Sequence, residues 1–113
     1  MTNKNHLQLI DIRGETRDIR DDWKNFVLTE VNDHVVRVSV LDRDYHWHVH
    51  TNSDETFLAI EGELFIDLED RTETLRAGQL FTVPKNIRHR TRANGQVVNL
   101  TFEHRNADAR GDG

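Results

Sequence analysis

The chain has 113 residues, 35% of them hydrophobic and 31% charged, which is enough for one domain with a modest core and too short for two. Its 15 basic residues against 20 acidic ones leave a net charge of -5, which repels phosphate backbones, so no nucleic-acid partner is expected. Cysteine is absent, which excludes disulfides, thiolate ligands and cysteine nucleophiles and leaves nitrogen and oxygen as the only metal donors.

Residues 1–10 lack the long apolar stretch of a signal peptide or membrane span, and a cytoplasmic protein with no membrane partner is expected. Residues 7–12 and 25–31 are candidate strands, placed at a sheet edge where a second subunit would cover their backbone groups. Between them, 18–24 is polar and charged and fits either a helical turn or an irregular loop. From Val35 onward the pattern is short alternating runs. It predicts strands at 35–41, 56–60, 64–68, 72–75, 80–83, 88–92 and 96–103, broken at Gly62, Gly78, 84–86 and 94–95. In the first of these, Val36, Val38 and Val40 share a face opposite Arg37 and Ser39, as in a half-buried strand. The expected organisation is an N-terminal segment 1–30 packed on a barrel of residues 31–105, with a flexible tail at 106–113.

Three of the seven histidines fall at His46, His48 and His50, where strand periodicity would put all three on one face. Imidazoles crowded on a buried face need partners for their nitrogens, and a divalent cation supplies one, neutral histidine being its commonest ligand. Glu55 follows closely enough to return to the same centre and add a hard oxygen. His89 is the fourth candidate, and each of these residues stands beside a turn signal. Other metal motifs fail on spacing. A hydrolase of the His-x-His-x-Asp-His kind would need aspartate where the chain has Asn52, and a facial triad would need a carboxylate where it has His50.

This grammar resembles the cupin family. Its first motif is His-x-His, three or four residues, Glu, six residues, Gly, matched by His48, His50, Glu55 and Gly62. Its second is Gly, five residues, Pro-x-Gly, two residues, His, matched by Gly78, Pro84 and His89. Asp42, Asn86 and Ala93 depart from the pattern, replacing a leading glycine, the glycine after proline and a closing asparagine; none is a ligand position, and asparagine tolerates the left-handed backbone that glycine would adopt. More narrowly, Trp47-His48-Val49-His50, Asp54-Glu55 and Val83-Pro84-Lys85 look like the small cupins labelled mannose-6-phosphate-isomerase-like.

The resemblance implies an all-β, double-stranded β-helix, a jelly-roll barrel whose mouth offers a ligand site. It implies one divalent transition metal (Mn, Fe, Ni, Co, Cu or Zn) on His48, His50, Glu55 and His89. Three imidazoles and one carboxylate leave residual positive charge and open positions, so an anionic or carbonyl-containing small molecule is the expected ligand. A metal-dependent oxygenase or isomerase and a non-catalytic binding module both fit. His46 and Phe57 are candidates to line the pocket. Leu58, Ile60 and Trp47 would then point outward and suit a homodimer interface, while Arg88, Arg90 and Arg92 would face away from the metal, toward solvent or a partner sheet.

Overall fold

The alternating runs form strands, and a longer strand precedes them. The protein is described by a computed structural model covering residues 5–107. A short helix, α1 (Ile12–Thr16), leads into β1 (Trp23–Val31), β2 (His34–Leu41), β3 (Glu55–Glu61), β4 (Leu64–Asp67), β5 (Thr72–Leu75), β6 (Leu80–Val83), β7 (Arg90–Ala93) and β8 (Val97–His104). One sheet runs β1-β2-β8-β3-β6 and a second runs β5-β4-β7. All named strand pairs are antiparallel, and the sheets form the double-stranded β-helix expected from the motifs.

Between the sheets lies one core, built from Leu41, Phe57, Ala59, Leu64, Ile66, Leu75, Val83 and Val97. A second core lies on the outer face of the larger sheet, where Val38, Val40, Leu28, Val98 and Leu100 pack against Ile10, Ile12 and Ile19. The valine face of β2 is buried as expected of it, but the strand is covered on both faces. Val38 and Val40 are buried under the chain's own N-terminal segment, while Ser39, on the opposite face, is buried as well, among the residues of an interior recess. Polar residues on this inner side are thereby available for a site.

The expected strand at 7–12 does not form. Asn5 and Leu7 hold φ of 57° and 61°, outside extended geometry. The segment is instead tied to the rim of β1 by side chains, Asn5 Nδ2 donating to the Leu28 carbonyl at 2.6 Å and the His6 ring meeting the Glu30 carbonyl at 2.8 Å. The 18–24 stretch divides: Ile19 anchors in the outer core, and Trp23 and Lys24 already belong to β1. Leu58 and Ile60 also pack into this outer core, so the apolar face assigned to a second subunit is partly covered by the same chain.

Two details hold the smaller sheet in place. The buried Asp67 carboxylate accepts from Thr72 Oγ1 at 2.6 Å, Arg90 Nε at 2.8 Å and the Arg92 guanidinium, joining β4, β5 and β7. The arginine stripe thus faces away from the metal ligands as expected but is not left to solvent, and Arg88 and Arg90 also lie over the Trp47 ring at 4.9 and 5.4 Å. Gly62 turns β3 into β4 at φ 77°, where a Cβ would meet the Gln96 carbonyl oxygen at 2.6 Å; only glycine fits. Of the tail expected at 106–113, residues 108–113 lie outside the described residues. Within them, the Asn106 carbonyl accepts from Asn52 Nδ2 at 3.0 Å, and the Ala107 N–H donates to the His104 carbonyl at 2.9 Å.

Candidate metal centre

The site begins with a short bridge between two loops. His48 and His89 exchange both backbone hydrogen bonds, each at 2.9 Å, and the His50 carbonyl accepts from the Asn86 N–H at 2.7 Å. Asn86 supplies the turn at φ 71°, in the role that glycine has in the motif. Glu55 opens β3, and the loop before it is fixed to its neighbours: Asp54 Oδ1 accepts from the Lys85 N–H and Ser53 Oγ from the His104 N–H, both at 2.9 Å. Four separate positions in the sequence are thereby held against one another by backbone and loop side-chain hydrogen bonds before any cation is considered.

The four side chains converge. One ligand atom from each of His48, His50, Glu55 and His89 lies within 4.8 Å of the others, and all four residues are buried. Nδ1 of His48 donates to the His46 carbonyl at 2.9 Å and Nδ1 of His89 to the Ile87 carbonyl at 3.0 Å, which leaves Nε2 as the ring nitrogen each can turn toward a cation. Burial lowers the His48 pKa to about 4, so at neutral pH it is an uncharged donor. For Glu55 burial alone would raise the pKa, but His50 and His89 outweigh it and hold the carboxylate at about 2.

Electrostatically, the cluster is an ionised carboxylate among imidazoles. Glu55 Oε1 lies 3.1 Å from His50 Nε2 and 3.4 Å from His89 Nε2, yet Glu55 Oε1 and His89 Nε2 lack hydrogen-bond geometry although both are buried. Such atoms are costly unless a partner completes them. Three nitrogens and one hard oxygen, convergent and buried, fit a divalent transition ion.

The centre forms part of a recess of ≈ 40 Å³, lined by His48 and Glu55 together with Phe57, Tyr45, Asn99 and Thr101 among others. Phe57 lines it. His46 does not: it is exposed, with its ring 4.2 Å from that of Tyr45, and Tyr45 takes the inward place. The cause is a slip in register. Tyr45 bonds to Thr91 and His48 to His89, three residues against two, and one extra residue reverses the phase of the histidine run.

Sequence reasoning missed a second buried carboxyl. Glu103 lies one residue beyond the Thr56–Phe102 pair, on the strand beside Glu55, with Oε1 3.2 Å from Arg37 Nε. Burial, and then the Glu55 charge, push it up to about 7, against the opposing pull of His50 and Arg37. The available signal was the alternation of Asn99, Thr101 and Glu103 with Val98, Leu100 and Phe102, which makes one face of β8 polar beyond Val97.

The protein belongs to the cupin family: the cupin domain model matches residues 27–102. Uncharacterized protein YdbB of Bacillus subtilis (strain 168) is 44% identical over 92 residues, 80% of this chain and 81% of that protein. A cupin-2 domain containing protein from Shewanella frigidimarina superposes with TM-score 0.82 at 28% identity, over 86% of this chain and 95% of that one. Protein NMB1881 from Neisseria meningitidis gives 0.77 at 26% identity, over 86% and 99%. No helix among the described residues is long and apolar enough to cross a membrane.

Proposed function

We propose that this cupin binds one divalent transition metal (Mn, Fe, Co, Ni, Cu or Zn) through His48, His50, Glu55 and His89, and acts as a metalloenzyme of the oxygenase or isomerase type on a small anionic or carbonyl-containing metabolite. The observation that carries this reading is the position of two of the four ligands, His48 and Glu55, in the wall of an open recess rather than in a sealed shell. Structural metal sites close the coordination sphere, whereas catalytic ones keep a position for substrate. Bound there, the metal would supply Lewis acidity or oxygen activation. The chain's own part is to hold His48 neutral, keep Glu55 ionised, and enclose the ligand against Phe57 and Tyr45.

The test is a search for turnover of small oxoacids and carbonyl compounds by metal-loaded protein. The expected result is a reaction that stops on chelation and returns with one metal. Tight binding without product from any compound that binds would instead favour the non-catalytic module.

As part of the same proposal the chain is a mannose-6-phosphate-isomerase-like cupin, a reading supported by the motif segments around Trp47, Asp54 and Pro84, and a cytoplasmic homodimer. The dimer is supported by Leu80 and Phe102, 63% and 37% exposed on the outer side of the larger sheet. Light scattering should give twice the chain mass; a monomer mass at micromolar concentration removes the dimer.

A further inference from the structure

Beside the metal ligands, the recess has a second polar wall. Asn99 and Thr101 are two residues apart on β8, so both project from one face, about 7 Å apart along the strand. Across the ladder Asn99 faces Ser39 and Ala59, and Thr101 faces Arg37 and Phe57. Ala59 is too short to cover the amide. Asn99 and Thr101 are 2% and 4% exposed and line the same recess as His48 and Glu55, yet Asn99 Oδ1 and Thr101 Oγ1 have no hydrogen-bond partner. Leucine and valine would fill this space without leaving polar atoms unpaired, so the chain holds hydrogen-bonding groups ready for something that enters.

We infer that this wall reads the hydroxyl groups of a short polyhydroxy carboxylate whose charged end reaches the metal centre; the inference rests on the metal-centred reading above. The wall itself favours a neutral group. An amide and an alcohol each donate and accept, as a ligand hydroxyl does. A second carboxylate at the wall would come close to the buried acids Glu55 and Glu103, and the nearby cation, Arg37, is already engaged by Glu103 at 3.2 Å. Asn25 and Ser39 extend the same polar lining. The ligand is thereby oriented with its carboxylate at the metal and its hydroxyls against β8.

The test compares racemic glycerate with racemic lactate by calorimetry on metal-loaded protein. Both carry a carboxylate and an adjacent hydroxyl for the metal, and they differ by one further hydroxyl. Wild type should bind glycerate about tenfold more tightly. Asn99→Leu and Thr101→Val should each reduce that preference toward unity while keeping the wild-type metal content. Equal affinities in wild type, an unchanged preference in both variants, or no binding of either acid to loaded protein overturns the inference. Failure of the metal-centred reading gives a different signature, absence of stoichiometric metal in wild type itself.

Discussion

Protein purified without a histidine tag and offered a divalent transition metal is expected to hold about one equivalent, and the double variant His48→Ala, His89→Ala less than about a tenth of that. The size of the effect follows from the donor set. Two of the three imidazoles go, and the remaining His50 and Glu55 are a pair that many surface sites could match. Folding should survive, because His48 and His89 meet through their main chains, each donating to the other's carbonyl at 2.9 Å, and alanine preserves both bonds. Elemental analysis reads the metal, and circular dichroism reads the barrel. The single variant His50→Ala should also bind far more weakly; full stoichiometry there would remove His50 from the ligand set.

Much of this centre is legible in the chain because its ligands are close in sequence or marked by turns. His48, His50 and Glu55 fall within one loop and strand start, and Pro84 announces the turn that carries His89. What alternation cannot show is which side of a strand becomes the inside. Val36, Val38 and Val40 look like the core face of β2, but the valines are covered by Ile10, Ile12 and Ile19, and the polar side turns toward the site. The same ambiguity hides Arg37, Asn99, Thr101 and Glu103, whose proximity to the metal ligands depends on the β2-β8 and β3-β8 registers rather than on any local spacing. His46 is the converse case, since periodicity includes it and a one-residue bulge takes it out.

Polar residues inside the barrel also make its stability depend on pH in a way that two groups nearly conceal. His48 has its folded pKa lowered from 6.5 to about 4, so the unfolded chain takes up the proton first and stability is lost as pH falls below 6.5 toward 4. Glu103 has its folded pKa raised from 4.5 to about 7, so the folded chain takes up the proton first and stability is lost as pH rises from 4.5 through 7. Between pH 7 and pH 5 each contribution is about 2 kcal/mol, and they have opposite signs. Metal-free wild type should therefore show a urea midpoint that barely moves across this interval. Glu103→Gln removes one of the two opposing groups, and its stability should fall by about 2 kcal/mol on going from pH 7 to pH 5, whatever the substitution costs at pH 7. A wild type that weakens just as steeply, or a variant as flat as wild type, would show that Glu103 does not hold its proton in the folded barrel. The balance has a functional side: with Glu103 only partly ionised near pH 7, Glu55 is the one fully ionised acid beside the imidazoles, and the net charge offered to a divalent cation and its anionic ligand stays small.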